Sequence, residues 1–458
     1  MVKFYAILIL IFNFILLYSQ DTQNIIVEEA KSEKIYITLD DALNLAFDND
    51  KTLKQAEYDV KIAQTQKEAS FSDIFMPSLD INGGLNISQP KEYSINDVNT
   101  GVYTSADTWS LNANLSKVFF TGFRNLNTDK ARSINLKMKK EIYYDAKKDV
   151  ELNTKLNFYN TFVAYENYRV YLQQQLNYSN RMSETYIKYR NGQVSEYEYL
   201  NAKVQYETTK PQVINLSNQY QSLKLTLIRQ IGLTNTVDQI DLNGSILDAT
   251  NIALPNMNYD ELLKVIMNNN IELKNMSSNL EMLEYNRKIA RSYLWPTISG
   301  NANVGITTID KIKMNNNSQF YKDRKGEFNW GVGFSINYAL DSLLPFSSTA
   351  KGAKEIELSI KQMELSYDQL RDTIEVNSRD LISTVSSQAV NLQSQSENSK
   401  TAAYALQMAQ RQYRGGTISM LEVNDAETVY LNAQLAYLQA IYEYFSSTLQ
   451  LLKLLGNY

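Results

Sequence analysis

The sequence predicts a mainly α-helical chain that also carries part of a β-barrel, and three observations lead there. The chain is written twice. Each copy contains two short runs in which apolar and polar residues alternate with period two. Each copy also holds a helical stretch of about sixty-five residues without a proline.

Composition sets the bounds. Over 458 residues, 44% hydrophobic and 21% charged, the chain is of folded rather than disordered type. It has no cysteine and no histidine. That excludes disulfides, zinc fingers, thiol nucleophiles, Ser-His-Asp triads and nearly every transition-metal site, so no cofactor is expected. A formal net charge of −5 gives no electrostatic footprint for nucleic acid. Only 6 prolines and 16 glycines favour long uninterrupted helices.

The elements follow in chain order. Residues 1–20 read as a signal peptide, with Lys3 followed by an apolar run from Phe4 to Tyr18 broken only by Asn13. An uncleaved anchor is the alternative, because Tyr18-Ser19-Gln20 is a poor small-x-small cleavage site. No later stretch reaches eighteen apolar residues, so no later helix is expected to span a membrane.

The two copies are the repeats 21–254 and 255–458. LDDALNLAFDNDKTLK at 39–54 matches YDELLKVIMNNNIELK at 259–274, and MPSLDINGGLNIS at 76–88 matches WPTISGNANVGIT at 295–307. Trp109 matches Trp330, and YRNGQVSEYEYLNAK at 189–203 matches YRGGTISMLEVNDAE at 413–427. Four blocks in one order at nearly one shift make a duplication. The helical pattern breaks between the copies near 241–257.

After Pro77 and Pro296 the period changes to two. Strands are expected near 78–88, 108–118, 297–307 and 329–340, joined in each half by a polar linker, 89–106 and 308–327. Leu79, Ile81 and Leu85 alternate with Asp80, Asn82 and Gly84, and Trp330, Val332, Phe334 and Ile336 alternate with glycine, serine and asparagine. Each run has roughly the length that crosses a bilayer at a tilt. A sheet edge cannot be left open in hydrocarbon, and four strands are too few to close. Two copies would give eight strands and three would give twelve.

Between the second strand and the Tyr-Arg-x-Gly turn of each half lies the long helix. Ile360, Met363, Tyr367, Leu370, Ile374, Leu381 and Val385 fall at coiled-coil spacing, as do Leu152, Leu156, Tyr159 and Val163. Sixty-five residues of helix reach about 100 Å. Helices of about forty residues then return, with a kink expected at Pro211. Segments 38–75 and 258–294 supply a shorter helical layer.

The duplicated TLDDALNLAF and NYDELLKVIM starts, the MPSL and WPTI pair, the YRxG turns and the closing LLG resemble the TolC-like outer-membrane efflux protein family over nearly the whole chain. The resemblance implies a homotrimer with a shared 12-stranded transmembrane barrel in outer-membrane lipid and a helical tunnel through the periplasm. It further implies a passive exit duct of a tripartite efflux or type I secretion system, served by a periplasmic adaptor protein and an inner-membrane pump. Small molecules or proteins would be the cargo, and no enzyme activity is implied.

YRGGTISMLEVNDAE resembles the family's stretch at the periplasmic end of the tube. Glu422 and Asp425, three apart on one helix face, would then ring the pore entrance with Tyr413. The residue between them, Asn424, is given no role. The turns carrying Gly192 and Val194, and Gly416 and Thr417, would be adaptor-docking sites. Two departures stand out. The compact Pro-Leu-Phe-x-Gly-Gly turn after the second and fourth strands is absent, and the arginine that latches the entrance in some members falls on Ile418. The competing reading is an exported structural or adhesive coiled-coil stalk without a pore.

Overall fold

A computed structural model describes residues 35–87, 91–95, 98–104, 106–233, 240–251, 258–314 and 320–456. Segment 1–20, read from the sequence as a signal peptide, lies outside the described residues. Among those described, no helix is long and apolar enough to cross a membrane.

The first half runs β1 (Ile35–Ile37), α1 (Leu39–Asn49), α2 (Lys51–Phe75), β2 (Ser78–Asn86), β3 (Lys91–Ile95), β4 (Val98–Thr104), β5 (Ala106–Phe120), α3 (Arg124–Arg190) and α4 (Glu196–Gln230). After β6 (Ile240–Leu242) and a 3-10 turn, the second half runs α5 (Tyr259–Asn269), α6 (Ile271–Arg291), β7 (Thr297–Met314), β8 (Phe320–Asn337), α7 (Ser348–Arg414) and α8 (Met420–Leu455).

The long helices α3 and α7 have 67 residues each. That makes each about 100 Å long. Neither contains a proline to break it. Pro211 lies inside α4, which continues through it from Glu196 to Gln230. The shorter layer divides where Asp50 and Asn270 cap the helices that follow them, accepting from Leu53 N at 2.8 Å and Leu273 N at 3.0 Å.

Strands β2, β5, β7 and β8 form one antiparallel sheet in that order, with β5 pairing β7 across the two halves. Both outer strands, β2 and β8, are edges within the chain. Strands β7 and β8 have 18 residues each, longer than their apolar rows, because Ile309–Met314 pairs on with Phe320–Lys325. The run expected to 340 stops at Asn337, where a 3-10 turn begins at Leu340. Strands β3 and β4 form a separate hairpin inside the segment read as a polar linker, and β1 pairs β6 in parallel.

The sheet's apolar face is bare. Leu79, Ile81, Trp330, Val332, Phe334 and Ile336 are 65–77% exposed, which no sheet in water sustains across a whole face. Its other face carries asparagine, serine and glycine.

Below the sheet, Lys117 donates from Nζ to the Ile74 and Met76 carbonyls at 2.6 and 3.2 Å, closing the C-terminal end of α2. Ion pairs Lys67–Asp129, Arg132–Asp73 (3.0 Å) and Lys139–Asp59 (2.7 Å) then tie α2 along α3. Without the family's compact turn, the chain passes from β5 into α3 through two left-handed residues, Gly122 at φ 62° and Phe123 at φ 66°. Gly122 is required there, because a Cβ would lie 2.8 Å from Trp295 Cβ. The matching passage of the second half instead uses the 3-10 turn Leu340–Leu343 and a Ser347 cap on α7.

The main core lies midway along the helices, where Val150, Phe158, Phe162, Leu227, Ile228, Ile231, Ile441 and Phe445 pack α3, α4 and α8 together. Tyr159 and Phe445 meet there with ring centroids 4.5 Å apart. A smaller cluster joins Leu262 and Ile266 to Val385, Leu451 and Leu455. Each half therefore ends in a long helical hairpin, α3–α4 and α7–α8, projecting away from the sheet.

Candidate functional site

The hairpin tips hold the residues singled out by sequence. At the first, Gly192 adopts φ 69° and donates to Tyr189 O at 2.9 Å, while Gln193 N donates to Lys188 O at 2.9 Å. At the second, Gly416 adopts φ 74° and donates to Tyr413 O at 2.9 Å, while Thr417 N donates to Gln412 O at 3.0 Å. This double bond pattern ends a helix in a left-handed residue and favours glycine for conformation. Nothing lies within 4 Å of a Cβ placed at either position, so backbone strain and not crowding selects the glycine. The tips match bond for bond, as the duplicated sequence requires.

Ser195 and Ser419 then restart the helices, accepting from Glu198 N at 3.3 Å and Glu422 N at 3.4 Å. At the second tip the cap is reciprocal. Glu422 Oε2 accepts from Ser419 N at 2.7 Å and Ser419 Oγ at 3.0 Å, a capping box. Glu422 is thus exposed but committed to its own helix start. Asp425, on the next turn of the same face, is exposed without that duty.

A groove of about 250 Å³ separates the two tips. Tyr413, Val194, Tyr197 and Leu421 line it, with Arg181 and Asn424 at its inner end. The structure therefore brings Tyr413 and Val194 together. Gly192, Gly416 and Thr417 stand at the apices, and Glu422 and Asp425 lie off the groove.

Asn424 has a definite place. It is buried and accepts from Arg181 Nη1. One helical turn on, Glu427 is buried as well and pairs with Arg181 Nη2 at 2.8 Å, while Asn177 Nδ2 donates to its other oxygen at 3.4 Å. Arg181 also lies over the Tyr178 ring, 5.5 Å from its centroid. Burial, and then the nearby Glu427 charge, push the Tyr178 hydroxyl above its ordinary pKa. This cluster joins α3 to α8, and hence hairpin to hairpin. The available signal was positional: Asn424 and Glu427 continue the buried Leu431 and Leu438 stripe of α8 toward the tip. Polar residues at seam positions need partners across the seam.

Residues 42–233 and 262–457 match the family described as Outer membrane efflux protein. Among solved structures, the chain is similar to the Campylobacter jejuni CmeC outer membrane channel, with 17% identity, TM-score 0.73, and coverage of 91% of this chain and 85% of that one. It is similar to the outer membrane protein VceC of Vibrio cholerae, with 16% identity, TM-score 0.68, and coverage of 91% and 96%. It is also similar to the open state of the Neisseria gonorrhoeae MtrE outer membrane channel, with 15% identity, TM-score 0.70, and coverage of 91% and 88%. No curated protein shows significant sequence similarity to the chain.

Proposed function

The chain belongs to the outer membrane efflux protein family, and from that premise we propose that three copies close one twelve-stranded barrel over a helical tunnel. As a family member it is an outer-membrane channel of an efflux or secretion system, reaching into the periplasm and acting as a conduit rather than a catalyst. The observation that carries the assembly is the four-stranded sheet. Its apolar face is bare, and both edge strands, β2 and β8, have free backbone groups. In lipid those groups have no water to satisfy them, so β8 of one copy must pair with β2 of the next.

The helical hairpins extend the same ring into the periplasm. Threefold symmetry gathers Asp425 and Glu422 of each copy around one axis, a ring of carboxylate at the entrance that favours cations. Tyr413 packs at its rim in the groove between the hairpins. The exposed apices at Gly192–Val194 and Gly416–Thr417 present rigid turns to a periplasmic adaptor, through which an inner-membrane pump supplies the energy. Native mass spectrometry of the detergent-extracted protein tests the assembly. A trimer is expected, and a stable monomer would overturn the shared barrel.

A further inference from the structure

Strand registers put asparagine opposite glycine repeatedly on the polar face of the sheet. Asn303 pairs Gly331, Asn301 pairs Gly333, and Gly305 lies between Asn112 and Asn329. All four asparagine side chains lie down over the neighbouring strand. A Cβ at Gly331 would meet Asn303 Oδ1 at 2.9 Å, and one at Gly333 would meet Asn301 Oδ1 at 3.0 Å. At Gly305 a Cβ would collide with Asn112 Oδ1 and stand 3.0 Å from Asn329 Oδ1. None of these glycines has a positive φ. Their lack of a side chain therefore serves space, not backbone conformation.

We infer that Gly305, Gly331 and Gly333 determine the bore of the barrel, by giving Asn112, Asn301, Asn303 and Asn329 a notch in which their amides lie flat against the wall. This inference rests on the channel reading, in which the apolar face meets lipid and the polar face lines the lumen. Each added methyl group would take the place an amide now occupies. The amide must then swing off the wall, and the only open direction is into the lumen. Threefold symmetry repeats the effect around the ring. The flat amides of Asn112, Asn301, Asn303 and Asn329 face the lumen beside Asn114, serine and threonine, and the same face carries two carboxylates, Asp80 paired with Asn114 and Glu327 paired with Thr307.

The absence of native cysteine makes the test direct. Ser335→Cys places one reporter on the lumen face one row below the belt, opposite Ser299. Maleimide–polyethylene glycols of graded size are added outside to intact cells, and the largest that labels the reporter gives the bore. Gly331→Ala with Gly333→Ala is expected to lower that cutoff. Adding Asn301→Ala and Asn303→Ala to the same protein is expected to restore it. Gly83→Ala, on the outward face with its nearest neighbour Leu111 at 4.0 Å, is expected to leave it unchanged. Should the glycine variant fail to assemble, Asn301→Gln with Asn303→Gln adds bulk to the other partner of each pair and must lower the cutoff in the same way. An unchanged cutoff in the assembled glycine or glutamine variant overturns the inference. A reporter that no reagent reaches in the otherwise unaltered protein overturns the channel reading instead.

Discussion

Arg181→Ala is the substitution with the most to say about the helical hairpins. Arg181 and Glu427 are 2.8 Å apart, with side chains only 16% and 9% exposed. At an effective dielectric of about 20, unit charges some 4 Å apart attract by about 4 kcal/mol, and desolvation offsets part of that. Removing the arginine alone takes away the attraction but keeps the cost. The Glu427 carboxylate is left buried, with the Asn177 amide at 3.4 Å as a single weak donor. A buried charge stranded in this way costs about 3 kcal/mol. Local opening between α3 and α8 should become easier by roughly a hundredfold. Hydrogen–deuterium exchange of the trimer reads this directly, in peptides covering residues 174–190 and 420–431. Arg181→Met with Glu427→Leu, which removes both charges and keeps apolar volume, should exchange close to the unaltered protein. If Arg181→Ala exchanges no faster than the unaltered protein, the cluster does not couple the hairpins and the reasoning fails.

Three further outcomes follow from the same geometry. Val304→Arg, on the bare face midway along the paired rows, should cost about 2–4 kcal/mol per chain near the bilayer midplane, while Ser335→Arg on the lumen face should cost far less. Assembled trimer per cell reports the difference, and equal losses would favour a sheet in water. Glu422→Gln with Asp425→Asn keeps the Ser419 capping box and removes the charge; single-channel recordings should show weaker cation preference and less block by trivalent cations. The same changes at Glu281 and Glu284, outside the entrance, should alter neither, and identical behaviour of the two pairs would reduce the entrance acids to an ordinary helix face. Asp145 has its pKa raised, chiefly by burial, although Lys453 counteracts the shift. An acid held above its unfolded pKa favours folding at low pH and loses that contribution as pH rises through the folded value. Asp145→Asn should therefore raise thermal stability at neutral pH, with the gain vanishing below pH 3.8.

Much of this architecture is legible in the sequence, for identifiable reasons. The helices α3 and α7 declare themselves because apolar spacings of three and four run through stretches without proline, and the sheet strands because their two faces differ in polarity at every step. Pairings without a local pattern do not show. Strands β1 and β6 have three residues each and meet across two hundred positions. The β3–β4 hairpin lies in a segment whose polarity reads as a linker. At the tips, the glycine turns are legible because only one residue type suits a left-handed helix end. The Arg181–Glu427 pair spans 246 positions, and nothing near either residue names the other. Asn424 has no local signal, because its neighbours Glu422 and Asp425 carry the charge and its own value is its place on the seam, where it meets Arg181. The capping box of Glu422 was readable from Ser419 three residues earlier, and it shifts the weight of the entrance ring toward Asp425.

The central claim is that copies of this chain enclose a water-filled passage through a membrane. Reconstituting the detergent-extracted protein into a planar bilayer tests it most directly. The account predicts discrete, uniform current steps, each from one inserted trimer, with cations favoured over anions. A protein that stays soluble without detergent and produces no steps would contradict it, and would leave an exported coiled-coil stalk in its place.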